Sequence, residues 1–145
     1  MCLMNAKRLR TNRKKPIICW KVERYHWHKW VSLFQFHILP EGRSDIADRV
    51  KLKRGKPETV ISKSMEKYHY IAGGAFHSFK TLKDAKQIAV YFSAINKKGA
   101  YRVVRCQIPP DSLAFKGYSS YGLLSYASRS IIKGKEVYRT GKEEK

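Results

Sequence analysis

Residues 81–95 read TLKDAKQIAVYFSAI, and the fold class follows from this stretch. Leu82, Ala85, Ile88, Ala89, Phe92 and Ile95 recur at the three-and-four spacing of a helix, so one face is apolar. Thr81 stands before the first apolar position and Asp84 follows three residues later, as in a capping box. Lys83 and Gln87 fall on the outward face. Lys97, Lys98 and Gly99 come next: cations near the negative end of the helix dipole, and a glycine suited to the left-handed conformation that ends helices. The spacing predicts one helix over residues 82–95.

Around this helix the periodicity becomes alternating. AYRVVRCQI (residues 100–108) reads as a strand, with Tyr101, Val103, Arg105 and Gln107 on one face and Arg102, Val104, Cys106 and Ile108 on the other. Pro109-Pro110-Asp111 ends it. Upstream, residues 17–39 are dense in Ile, Val, Trp, Tyr and Phe and read as two strands. The turn falls near residues 25–29, although no Gly or Pro marks it. Residues 40–58 are polar and punctuated by Pro40, Gly42, Gly55 and Pro57; a short helix is expected to start at Ser44. Tyr68, Tyr70 and Ala72 alternate until Gly73-Gly74, where a bulge or a close backbone approach is expected. Residues 111–130 read as a hydroxyl-rich loop containing Tyr118, Tyr121 and Tyr126. Ile131 and Ile132 begin a last short strand that reaches Tyr138.

Strands outnumber helices and do not alternate with them, which argues against a doubly wound sheet. The expected fold is α+β: a mostly antiparallel sheet of five or six strands with the 82–95 helix packed on one face. Residues 1–16 read as a mobile basic arm, 17–140 as one domain, and 141–145 as a fraying tail.

The 145 residues carry 31 Lys and Arg against 11 Asp and Glu, a formal net charge of +20. A content of 43% hydrophobic and 12% aromatic residues is too high for wholesale disorder. There is no run of about 18 apolar residues, so no membrane span and no membrane partner are expected. The opening MCLMNAKRLR has no apolar core of a secretory signal. Cys2, Cys19 and Cys106 are odd in number and widely spaced, which fits reduced thiols rather than a disulfide framework or a metal site. The expectation is a cytoplasmic, single-domain protein that meets something negative.

Catalytic patterns are sparse. No phosphate-binding glycine loop and no dinucleotide fingerprint occur, and no paired carboxylates emerge. His26 and His28, two apart, would share a strand face, but sequence positions no third metal ligand. No catalytic residue, metal or cofactor is expected.

Charge is the strongest signal. Lys and Arg that neutralise phosphates release counterions and supply most non-specific affinity for nucleic acid. Three clusters are candidates: Arg8, Arg10, Arg13, Lys14 and Lys15 in the arm; Lys51, Lys53, Arg54 and Lys56; and Lys97 and Lys98 with Arg102 and Arg105. In KVERYHWHKW (residues 21–30) aromatics interleave with charge. Tyr25 and Trp27 are the candidates to stack on unpaired bases, at about 1–3 kcal/mol each. Trp20 and Trp30 are expected in the core. A self-repelling +20 is better explained by a counter-charged partner than by a solvated face.

HSFKTLKDAK (residues 77–86), VVRCQIP (103–109) and YASRSII (126–132) resemble segments of small proteins of phages and mobile elements, over roughly residues 68–138. Such proteins include inhibitors of host defence, among them anti-CRISPR proteins. The resemblance implies a phage-encoded inhibitor that engages RNA or a nucleic-acid–protein complex, with a CRISPR effector as the partner. A strand–helix–strand unit followed by Tyr126-Ala127-Ser128 also resembles an ADP-ribosyltransferase core, whose catalytic Glu would correspond to Glu136 near the last strand. Glu136 sits among Lys133, Lys135 and Arg139, as a surface ion-pair residue would. Two readings follow. One is a non-enzymatic RNA-binding protein. The other is a small nucleic-acid-modifying transferase or nuclease that uses His77 or Glu136 with the Ser/Tyr-rich loop.

Overall fold

The computed structural model describes residues 3–10, 12–33, 38–45 and 75–141. Nine strands and one helix follow in the order β1 (Met4–Arg8), β2 (Ile17–His26), β3 (Lys29–Ser32), β4 (Gly42–Asp45), β5 (Phe76–Phe79), α1 (Leu82–Ile95), β6 (Tyr101–Ile108), β7 (Ala114–Tyr118), β8 (Leu124–Ser128) and β9 (Ser130–Thr140). The fold is α+β with one large antiparallel sheet, of nine strands rather than five or six. The sheet order is β1-β7-β8-β5-β2-β6-β9-β4, and β3 pairs with the end of β2.

The surplus strands come from segments whose composition suggests loop, helix or arm. Residues 114–128 form the β7–β8 hairpin, in which Phe115 faces Ala127 and Lys116 faces Tyr126. Ser44 does not start a helix; it lies in β4, opposite Ile131 of β9. The reading of residues 1–16 as a mobile arm is corrected for residues 4–8. β1 pairs with β7, and Leu3 and Ala6 are buried against Phe115 and Ala127. In each case hydroxyls and charges on one side of a strand mask a few small or apolar residues on the other.

Only Arg129 separates β8 from β9, yet these strands hold the third and seventh places in the sheet. In a flat sheet those places would be about 19 Å apart, at roughly 4.8 Å per strand. The sheet therefore curls, and its concave side encloses one core. That core joins Cys19 of β2, Phe76 of β5, Val104, Cys106 and Ile108 of β6, Ala114, Tyr126 and Ile131. Two register shifts between β6 and β9 add twist along this bend.

Helix α1 packs on the convex side. Thr81 caps it by accepting a hydrogen bond from the Asp84 N–H at 3.2 Å. Ala85, Ile88 and Ala89 bury against Val22, Phe79, Tyr101 and Val103. Two details differ from the sequence reading. Ile95 is 64% exposed, because the helix ends there. The end is closed by Asn96, whose N–H bonds the Phe92 carbonyl at 2.9 Å, and Gly99 is not in the left-handed region.

Candidate nucleic-acid interface

The tip of the β2–β3 hairpin carries the sharpest local signal. Tyr25 pairs with Trp30 and His26 with Lys29, so Trp27 and His28 make a two-residue turn. Both have positive φ, +50° and +63°. Such a turn follows the right-handed twist of the strands, and Asn-Gly is its usual occupant. A left-handed residue with a Cβ costs about 1–2 kcal/mol. The sequence shows no turn signal here because the two positions hold an indole and an imidazole. His28 therefore does not share a strand face with His26. Trp27 is also 80% exposed. Strained backbone and an exposed indole coincide at one residue, a combination that points to function rather than stability.

Beside the tip is an open concavity of about 550 Å³. Arg24, Tyr25, His26 and Trp27 border it from the hairpin, and Asn96 and Lys98 border it from the segment after α1. Arg24 donates to His26 Nδ1 at 3.1 Å. A guanidinium can only donate, so this contact uses Nδ1 as acceptor and assigns the ring proton to Nε2. The His26 ring stands edge-on to Trp27 at 5.9 Å, and Tyr25 leans on Trp30 at 5.2 Å. Tyr25 N–H bonds the Ala100 carbonyl at 2.9 Å, which ties the hairpin to the segment after the helix.

The structure thus brings Tyr25 and Trp27 together with Lys98, while Lys97 is exposed next to it. It separates the others. Arg10, Lys14 and Lys15 are exposed near the start of β2, and Arg8 is exposed on β1. The hairpin tip lies at the far end of β2, about 30 Å away at roughly 3.3 Å per residue. Arg105 is exposed on β6. Lys51, Lys53, Arg54 and Lys56 lie outside the described residues, as do Tyr68, Tyr70 and Gly73-Gly74.

Two residues expected to hold phosphate have structural duties instead. Arg13 donates to the carbonyls of Arg10 and Pro109, each at 2.8 Å, and of Ser112 at 3.2 Å. Partial burial lowers its pKa, against the opposing pull of Asp111. Arg102 reaches Glu23 Oε1 at 2.8 Å and lies 4.4 Å from the centre of the Trp30 ring. Arg139 stacks on the same ring at 5.0 Å, and Glu136 holds Arg139 at 2.7 Å. Glu136 is thus an ion-pair residue.

The sequence reading missed the centre of this network. Glu23 is wholly buried, and its second oxygen takes a bond from Lys133 at 2.9 Å. Lys133 also donates to the Leu39 carbonyl at 3.0 Å. Lys21 donates to the His77 carbonyl at 3.1 Å, and burial lowers its pKa. Alternation along β2 places Cys19, Lys21 and Glu23 on the concave side, so the signal was present as a charged pair in phase with a core cysteine. Cys19 and Cys106 face each other across β2 and β6, both reduced and buried. Burial raises their pKa values to about 12 and about 11.

A second, shallower feature runs along the outer face of α1. Val90 and Tyr91 are about half exposed there, facing Tyr121 of the β7–β8 turn, with Lys83 and Lys86 at the rim.

Among the described residues no three His, Cys, Asp or Glu side chains converge in a way that could hold a metal ion. Among them too, no helix is long and apolar enough to cross a membrane. Comparison with protein-family models, curated proteins and solved structures gives no match for the chain.

Proposed function

We propose that this is a non-enzymatic protein that binds RNA, alone or within a nucleic-acid–protein complex, through its basic surface. The observation that carries the reading is an exposed indole held in a strained turn beside Lys97 and Lys98, on a chain of net charge +20. Exposed Arg8, Arg10, Lys14, Lys15 and Arg105 extend the cationic surface. Taken with the resemblance of residues 68–138 to phage and mobile-element proteins, the reading extends to a phage-encoded inhibitor, acting in the cytoplasm, that competes for the guide RNA or occupies the nucleic-acid channel of a CRISPR effector. Nothing in the geometry favours the enzymatic alternative, since Glu136 is engaged by Arg139 and Arg102 and His77 is buried in β5.

The test is the salt dependence of RNA binding. Affinity is expected to fall linearly on a logarithmic salt scale, with a slope that counts the phosphates contacted. A flat response, or no binding at low salt, would overturn the reading.

A further inference from the structure

We propose that the concavity at the β2–β3 tip receives one unpaired base of single-stranded RNA, with Trp27 as its stacking face. This rests on the RNA-binding reading above and adds strand selectivity to it. Three observations point the same way. The concavity, about 550 Å³, falls within the range of small-molecule sites. Its border is chemically divided: the rings of Tyr25 and Trp27 on the hairpin side, and Asn96 with Lys98 on the helix side. An aromatic face with a carboxamide and a cation opposite matches a nucleotide, whose base has a π-face, an edge rich in donors and acceptors, and a phosphate. Finally, Trp27 is exposed and left-handed in a turn where Asn-Gly would serve the fold better, so the indole is kept for something outside the fold.

A paired base cannot enter. Its edge is engaged by its partner and its faces by its neighbours, so only an unstacked nucleotide can offer both to the concavity. Asn96 faces the base edge, and Lys98 takes the phosphate. The duplex remains able to bind the outer cations, but without stacking.

The test measures binding of a 12-nucleotide adenylate RNA and a 12-base-pair RNA duplex at one salt concentration. The proteins are the wild type, W27N/H28G and K97A/K98A. The first variant installs the turn's preferred residues, so its melting temperature should equal or exceed that of the wild type, and weaker binding cannot then be blamed on misfolding. The expected result is a preference for the single strand. W27N/H28G should lose about 5- to 150-fold for the single strand, the range for one stacked base, and change little for the duplex. Equal affinity for both RNAs, or single-strand affinity untouched in W27N/H28G, overturns the base site. In that case binding that still falls with salt and in K97A/K98A leaves the RNA-binding reading standing. Failure of both RNAs to bind at low salt overturns both.

Discussion

Among single residues, Glu23 sets the clearest expectation. A buried carboxylate held by Arg102 and Lys133 is a charge arrangement that tolerates no missing member. Glu23→Gln keeps the shape and removes the countercharge, so it should destabilise the fold by about 3–5 kcal/mol in urea unfolding. Glu136→Gln, on the partly exposed side of the same network, should cost about 1 kcal/mol or less. Equal effects would refute the distinction. The two buried thiols predict a pH dependence. Below pH 9 both are protonated in folded and unfolded chains alike. From pH 9 to about 11–12 the unfolded chain releases these protons and the folded chain retains them, so stability falls as pH rises. Tyr126, also raised by burial, adds to this fall above pH 10. Lys21, lowered by burial, acts in the opposite sense over a window that ends at 10.5. Comparing wild type with C19V/C106V isolates the thiols: the fall in stability between about pH 8.5 and about pH 10.5 should be smaller in the variant.

Among the elements, α1 and β1 show how differently two segments disclose themselves. The helix was legible to the residue because Thr81, Asp84 and the inward apolar positions agree on one answer. Thr81→Ala should cost about 1 kcal/mol of thermal stability through the missing cap, and Thr81→Ser should restore most of it. β1 was illegible because Lys7, Arg8 and Arg10 outweigh Leu3 and Ala6 in any reading of composition. Its partner explains its place: Gly117 of β7 sits so close to β1 that a Cβ there would meet the Met4 carbonyl oxygen and Leu3 Cγ. Gly117→Val should therefore dislodge β1 and raise amide exchange in Met4–Arg8 and Ala114–Tyr118, while leaving α1 protected. Unchanged exchange in β1 would show that the strand is not held by this approach.

For the molecule as a whole, net charge and the curled sheet together divide the cations into two classes. Arg13 and Arg102 act within the fold; Arg10, Lys14 and Lys15 stand outside it. Replacing Arg10, Lys14 and Lys15 with Gln should reduce the salt slope of RNA binding by up to about 3 units, approaching one unit for each phosphate released, with little change in melting temperature. Arg13→Gln should lower the melting temperature, because the carbonyls of Arg10, Pro109 and Ser112 are left without this donor. If Arg13→Gln leaves stability intact, its carbonyl contacts are incidental and the residue rejoins the surface class.

Local periodicity and composition were enough to read the helix, the strands β2, β3 and β6, the α+β class and the abundance of positive charge. A chain carries those signals whatever its neighbours. The curl of the sheet, the conversion of a basic N-terminal segment into a strand, and the service of Arg102 to Glu23 and Trp30 emerged only in three dimensions. So did the meeting of aromatics with cations: Trp27 and Lys98 lie on opposite sides of the helix in sequence, yet they border one concavity. Strand pairing and buried charge are settled between distant segments, and no local signal encodes them. A residue's type gives its chemistry, but its partner fixes whether that chemistry is spent inside the fold or offered to another molecule.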